Sequence, residues 1–436
     1  MFSKTFCSSP WFHVRLTYDG SFESCRWARN PERVNRFQTQ TIMQYYNSDQ
    51  MRSLRQQLLT GNSPEHCATC YYEESFGKLN GRIRQLTKSA VDVDDFDLSL
   101  RSSPHYENFK YSLDNQGLAD MAPVDLQIEL GNTCNSACIM CTPEASSRLE
   151  ADYHKLNAID PKLFIKPESY SAWTQDPELV DRFIKELVAI PNIRYIHFLG
   201  GETLYEPAFY TICEQLIAHD RAKDIIVGTT TNGTIYNERI QQFIEQFQQF
   251  HLGISIESVT ELNDYIRWPG RIDSILPNID KFLALRDHNP GLYVSLRITP
   301  NVFSVSEIDK LFVYMLEHRV IAESCNILHS PDYLRMELIP EDIRLDVQDK
   351  LKTLIDYYEL SKQQVVNVRR TDQIDQVTAN VILDYYQFVC DYTVPLNAEQ
   401  SRRDLVNSLK AFESIRNNSI LDYAPKYEKF LRHYGY

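Results

Sequence analysis

Between Val124 and about Ser330 short apolar runs alternate with longer stretches in which apolar residues return every three or four positions, the pattern of strands exchanged for amphipathic helices. VDLQIEL (Val124–Leu130), YIHFLG (Tyr195–Gly200), IIVGTTT (Ile225–Thr231), LGISIE (Leu252–Glu257) and LYVSLRIT (Leu292–Thr299) read as strands, and CNILH (Cys325–His329) as a sixth. DPELVDRFIKELVAI (Asp176–Ile190) reads as a helix between two of them, with Pro177 in the first turn, where a missing N–H costs nothing. Strands that alternate with helices pair in parallel. About six such units make a partial barrel, open on one side, with its chemistry at the carboxyl ends of the strands.

The flanks follow other rhythms. WFHVRLTYDGSFESCRW (Trp11–Trp27) alternates with period two around a Tyr-Asp-Gly turn, which predicts a β-hairpin, and a polar helical stretch follows it as far as Gly61. Between about Val91 and Pro123 the acidic run DVDDFD and scattered Ser, Asn and Gly hold no period, so this stretch reads as a linker or an extended surface segment. Past Pro340 the pattern is helical and rich in Tyr, Gln and charge. The expected α/β organisation is therefore an amino-terminal hairpin-and-helix domain (1–90), a linker (91–123), a partial (β/α)6 barrel (124–330) and a helical extension (331–436).

Composition narrows the class. The chain has 436 residues, 43% hydrophobic and 24% charged, enough to bury a large core. A net charge of −14 argues against a broad nucleic-acid groove, because an acidic surface repels phosphate at long range. No stretch approaches the ~20 apolar residues that span a bilayer, and MFSKTFCSSPWF lacks the apolar core of a signal peptide. The expected location is the cytoplasm. There a tight C-x2-C spacing is a metal-ligand signal rather than a disulfide signal. Seven of the ten cysteines fall in such groups, while Cys213, Cys325 and Cys390 stand apart and read as small buried hydrophobes. His13, His66, His105, His154, His197 and His251 show no ligand spacing and read as ordinary strand, loop or surface residues.

Cys134, Cys138 and Cys141 follow the first barrel strand as C-x3-C-x2-C, a spacing that lets three thiolates converge on one centre. A closed structural zinc site takes four ligands, whereas a 4Fe-4S cluster on three thiolates keeps one iron for an outside ligand. This motif resembles that of the radical S-adenosylmethionine (SAM) superfamily, with Met140 where an aromatic residue is usual. The resemblance implies that the cluster's free iron chelates SAM and that electron transfer cleaves SAM to a 5'-deoxyadenosyl radical, which abstracts hydrogen from a substrate.

Other motifs follow in the superfamily's order. FLGGE, with Gly200, Gly201 and Glu202, resembles the segment that holds the SAM amino group, and Asn232 in TTTNG is similar to a cofactor-contacting turn. ISIESVTELNDYIRWPG resembles a segment in which Ser255 would hydrogen-bond SAM and Arg267 would pair with its carboxylate, a task suited to a planar bidentate donor. Glu257 and Ser258 depart from that pattern, standing where Asp and Gly are usual.

Cys7, Gly20 and Cys25 fit C-x12-G-x4-C, and Cys67 and Cys70 add C-x2-C. Four thiolates close either a zinc site or a fully ligated cluster, and spacing alone does not choose. The pattern resembles the SPASM and twitch elements of radical SAM enzymes, the shorter single-cluster twitch form more closely, and so implies an auxiliary 4Fe-4S cluster, with zinc as the alternative. Relatives carry this element after the barrel, whereas here it precedes it. The implied function is a radical SAM enzyme, with no catalytic side chain assigned beyond the cluster. The implied substrate is a peptide or protein, or else a small molecule such as a sugar, alcohol or nucleotide derivative. A flavodoxin or ferredoxin would donate electrons. A non-catalytic zinc-stabilised binding protein is the alternative of another class.

Overall fold

The computed structural model describes residues 5–26, 35–74, 81–92, 96–167, 171–322, 326–363, 365, 373–392 and 394–436. Eight strands form one sheet: β1 (His13–Leu16), β2 (Phe22–Glu23), β3 (Asp125–Glu129), β4 (Tyr195–Leu199), β5 (Ile226–Thr231), β6 (Gln249–Ser255), β7 (Leu292–Arg297) and β8 (Ile321–Ala322). Their order is β2-β1-β3-β4-β5-β6-β7-β8. From β3 to β8 every pairing is parallel, as the alternation of strand and helix signals requires.

The two faces of this sheet differ in character. Leu126, Ile128, Ile196, Phe198, Val227, Leu252, Ile254, Val294 and Leu296 are buried on one face beneath the helices. The register places His13, Asp125 and Tyr195, then Arg15, Gln127, His197, Gly228, His251 and Tyr293, then Gly253, Ser255 and Arg297, on the other. This second face is the inside of the barrel, and it is polar. Glycine makes room on it: a Cβ at Gly228 would lie 2.3 Å from the Tyr195 hydroxyl, and one at Gly253 would lie 2.5 Å from Arg297 Nε.

The amino-terminal hairpin shares the barrel's sheet. β1 pairs antiparallel with β2 but parallel with β3, with His13 opposite Asp125 and Leu16 opposite Ile128. Trp27, the last residue of the predicted hairpin, lies outside the described residues. The polar helix before Gly61 is Asp49–Thr60, capped by the Ser48 side chain and ended by Gly61 at φ 93°, a left-handed conformation that glycine adopts without strain.

Two expectations are corrected. The stretch read as a linker contains helices at Phe96–Ser102 and Tyr106–Asp114. Each carries too few apolar positions to show a period, yet Phe96 and Phe109 pack against Phe6, with ring centroids 6.1 and 5.0 Å apart. The sixth barrel strand is Ile321–Ala322, and Asn326, Ile327, Leu328 and His329 are not in a strand; Cys325 itself lies outside the described residues.

The helix expected over Asp176–Ile190 is Pro177–Ala189, with the Asp176 carboxylate accepting from Glu178 N (2.9 Å) and Leu179 N (3.4 Å). Beyond Pro340 the long helices are Glu341–Tyr357, Ile374–Asp391 and Ala398–Arg416. The last of these packs on Ser147–Ile159, the helix that follows the cysteine loop.

Candidate functional site

The loop bearing Cys134, Cys138 and Cys141 leaves the carboxyl end of β3. Two backbone hydrogen bonds fasten its middle to the end of the short helix Leu262–Ile266 and the residues just after it: Ala137 N donates to Trp268 O (2.7 Å) and Ile139 N to Ile266 O (3.0 Å). Between these bonds Arg267 faces Cys138, with Nη1 3.7 Å from Sγ. Its Nη2 donates to Glu257 Oε1 at 2.5 Å, and Glu257 Oε2 accepts from Thr299 N at 2.8 Å. Burial pushes the Glu257 carboxyl up to about 7, against the pull of Arg267. Met140 accepts a contact from Asn301 Nδ2 at 3.6 Å.

The FLGGE segment grips the start of the same loop. Gly201 N donates to Gly131 O (3.0 Å) and Glu202 N to Thr133 O (2.8 Å). A Cβ at Gly201 would stand 2.4 Å from Thr133 O, so glycine is what permits the approach. Glu202 is buried, and its carboxylate accepts from Thr231 Oγ1 (2.6 Å), Asn232 N (2.6 Å) and Leu204 N (3.1 Å). Asn232 donates through Nδ2 to Asn135 Oδ1 (2.7 Å) and Ser136 Oγ (3.0 Å). Glu202 and Asn232 thus link the carboxyl ends of β4 and β5 to the cysteine loop. Ser255 ends β6, half-buried on the polar face and opposite Arg297. Gly200, Gly201, Glu202, Asn232, Ser255 and Arg267 all lie at the carboxyl-terminal end of the sheet, with the three cysteines.

The cysteines fit a cationic centre. Burial pushes Cys134 up to about 11 and Cys141 up to about 12, and it raises Cys138 although Arg267 pulls the other way. Three thiols crowded where their ionised forms are poorly solvated need positive charge to become thiolates, and an iron–sulfur centre supplies it.

Cys7, Cys25, Cys67 and Cys70 line one cavity with Ser9, His66, Tyr71 and Arg82. The sequence read His66 as an ordinary histidine; it faces this cavity, and burial lowers its pKa. Burial also raises Cys7 and pushes Cys67 up to about 12, with neighbouring thiols adding to both. Among the described residues no three His, Cys, Asp or Glu side chains, in this group or in the Cys134–Cys141 loop, stand close enough about one point to hold a single ion. The four thiols border one space.

The strand directions locate this cavity relative to the first loop. Cys7 precedes β1, and Cys25 follows β2, which runs back toward the amino end of β1. Because β1 and β3 are parallel and in register, the four-cysteine cavity lies toward the amino end of the sheet, whereas Cys134 follows the carboxyl end of β3. The five residues of β3 put about 13 Å of strand between those ends, at ~3.3 Å per residue.

Residues with no motif also reach the loop. Arg416, in the last turn of the long carboxyl-terminal helix, donates to Ala137 O at 2.8 Å across 279 positions of sequence. It pairs with Asp152 and lies 4.9 Å from the Trp268 ring centre.

Two family models match the sequence. The chain carries a domain of the radical SAM superfamily over residues 128–299. Ahead of it, over residues 7–71, lies an iron–sulfur cluster-binding domain of the SPASM family. SAM and a 4Fe-4S cluster are the cofactors of the first domain, and the second binds an auxiliary iron–sulfur cluster. No match was found among curated proteins. Similar solved structures include Streptococcus suis SuiB bound to S-adenosylmethionine, at 14% identity and TM-score 0.36, covering 72% of this chain and 64% of that one. Native anSMEcpe with bound AdoMet is similar at 18% identity and TM-score 0.36, covering 54% of this chain and 61% of the other. The chain therefore spans about three-fifths of the length of these structures. Among the described residues no helix is long and apolar enough to cross a membrane.

Proposed function

We propose that this protein is a radical SAM oxidoreductase that abstracts hydrogen from a substrate lying against the polar inner face of the barrel. Cys134, Cys138 and Cys141 would hold the SAM-cleaving cluster, and Cys7, Cys25, Cys67 and Cys70 the auxiliary one. When bound, these groups supply the electron that cleaves SAM to a 5'-deoxyadenosyl radical and a sink for the electron left on the substrate after hydrogen abstraction. The observation that carries the reading is the placement of two cysteine sites toward opposite ends of one sheet whose barrel side is polar. Four thiols lining one cavity suffice to close a fully ligated cubane, with a structural zinc ion as the alternative.

The chain's own residues would orient the cofactor. Arg267, already against Cys138, presents a planar donor at the loop where SAM's carboxylate would lie, with Glu257 fixing its direction. Gly201, Glu202 and Asn232 hold the loop in place from β4 and β5, and Ser255 faces the barrel interior beside them. Tyr195, His197, His251 and Tyr293 line that interior deeper in the barrel, with the Tyr195 and His251 rings 5.9 Å apart and those of His251 and Tyr293 5.4 Å apart. These polar aromatic side chains suit a substrate with hydrogen-bonding groups.

A peptide or protein is the preferred substrate class, because the pairing of these two domains resembles that of enzymes modifying ribosomally made peptides. The test is anaerobic incubation of the reconstituted protein with SAM and a strong reductant. Formation of 5'-deoxyadenosine, abolished by Cys134→Ala, is the expected result. SAM left intact by a protein carrying its full iron complement would refute the reading.

A further inference from the structure

The carboxyl-terminal helical extension lies outside both family matches, which end at residues 71 and 299. It nevertheless delivers a cation to the cysteine loop. Arg416 closes the helix Ala398–Arg416, and its side chain is only 2% exposed. Nη2 donates to Ala137 O at 2.8 Å and to Asp152 Oδ2 at 2.9 Å, while Nε donates to the same Asp152 oxygen at 3.3 Å.

The surroundings fix the guanidinium on several sides. Its centre lies 4.9 Å from the Trp268 ring and 4.3 Å from that of Phe412, and Arg148 lies 4.7 Å from the same Trp268 ring. Trp268 is also the residue whose carbonyl accepts from Ala137 N, so both main-chain polar groups of Ala137 are held, one by Trp268 and one by Arg416. The extension is anchored close by: Glu413, one turn earlier, accepts from Tyr265 Oη (3.1 Å), Ile420 N (2.7 Å) and Tyr436 Oη (2.7 Å). Ala137 precedes Cys138, and Arg267 lies against the Cys138 sulfur. Two arginines, a half-buried one from the barrel and a buried one from the extension, therefore flank one ligand position.

We propose that Arg416 is a positioning residue for the radical SAM cluster: it fixes the Cys134–Cys141 loop through the Ala137 carbonyl and adds positive charge beside Cys138, making the carboxyl-terminal extension part of the cofactor site. This rests on the three cysteines holding a cluster. Reduction adds negative charge to the cluster, so a nearby cation favours the reduced form and a nearby anion disfavours it. Asp152 and Arg416 are an ion pair beside the loop, with the arginine in contact with it. Neutralising one or the other then has opposite electrostatic consequences.

The experiment compares the full-length protein with Arg416→Lys, Arg416→Gln and Asp152→Asn, each also carrying Cys67→Ala and Cys70→Ala so that the remaining cluster signal belongs to the loop. Midpoint potential and the paramagnetic resonance of the reduced cluster are read. Arg416→Gln should move the potential to more negative values, Asp152→Asn to less negative values, and Arg416→Lys should restore most of the wild-type value. A purely structural role would move both neutralising variants the same way. In the iron-free protein with wild-type amino-terminal cysteines, Arg416→Gln should speed amide hydrogen exchange at Ala137 and Ile139 severalfold, with Arg416→Lys close to wild type. Equal exchange rates, or potentials that fail to move in opposite directions, would overturn the proposal. Faster exchange in Arg416→Gln alongside a wild-type loop that binds no iron would support loop positioning while refuting the cluster assignment.

Discussion

Replacing Gly201 by alanine tests how tightly the FLGGE segment must approach the cysteine loop. The added Cβ would lie 2.4 Å from Thr133 O and 2.6 Å from Asn132 O, both backbone atoms that cannot swing aside as a side chain could. Ordinary contact begins at 3.4 Å, so the two segments must separate by about 1 Å, the difference between 3.4 and 2.4. Accommodating an extra methyl in a packed interior costs about 1–3 kcal/mol. Moving the loop instead strains the bonds from Gly201 N to Gly131 O and from Glu202 N to Thr133 O, at a net ~0.5–1.5 kcal/mol each. Either response predicts destabilisation of about 1–3 kcal/mol, and the second also displaces Cys134, the residue after Thr133. A displacement of ~1 Å at positioned groups can lower activity about 100-fold. Gly200→Ala is the control: its Cβ would meet Gly131 O at 3.0 Å and needs only a few tenths of an ångström. Urea unfolding of the iron-free proteins and iron per chain after reconstitution are the assays. Gly201→Ala should show a lower unfolding midpoint and less iron than Gly200→Ala. If the two variants were indistinguishable from wild type in both, the close approach would not matter and the reasoning would fail.

Further substitutions separate fold from chemistry. Arg267→Ala leaves the fully buried Glu257 side chain without its cation and should cost about 3–5 kcal/mol in urea unfolding, with Arg267→Ala/Glu257→Gln recovering much of the loss. SAM affinity, measured by equilibrium binding to the reconstituted protein, should stay weakened in both; wild-type affinity would remove Arg267 from the SAM site. Asp176→Ala removes the cap of the Pro177–Ala189 helix, far from the cysteine loops in sequence, and should cost about 0.5–2 kcal/mol with no change in iron content.

The sequence disclosed what local pattern can carry. The strands at β3, β4, β5 and β7 are visible as apolar runs, and the cap of the helix after Asp176 is visible as Asp-Pro. β6 begins at Gln249, three residues ahead of its predicted start, because Gln249 and His251 point to the polar interior and interrupt the apolar run. β8 has two residues, too few for any period. The helices at Phe96–Ser102 and Tyr106–Asp114 are anchored by single aromatic residues on Phe6, a contact that local spacing does not encode.

The same limit governs the site. The cysteine groups, FLGGE and the Ser255–Arg267 segment are short and ordered, so they can be found without a structure. The pairing of β1 with β3 joins residues more than a hundred positions apart, and no local pattern says which sheet edge the hairpin takes. Arg416 reaches Ala137 across 279 positions, from a helix whose sequence marks it only as charged and amphipathic. Glu257, a departure from the expected Asp, acquires meaning only through its bond to Arg267.

The central claim is that two separate cysteine groups hold two separate iron–sulfur clusters. It is tested most directly by iron, acid-labile sulfide and zinc per chain, measured on anaerobically reconstituted wild type and on a variant with Cys134, Cys138 and Cys141 all changed to alanine. About eight irons in the wild type and about four in the variant, without zinc, is the predicted result, the content of two cubanes and of one. One zinc and no iron in the variant would contradict the auxiliary cluster, and no iron in either protein would contradict the account at its root.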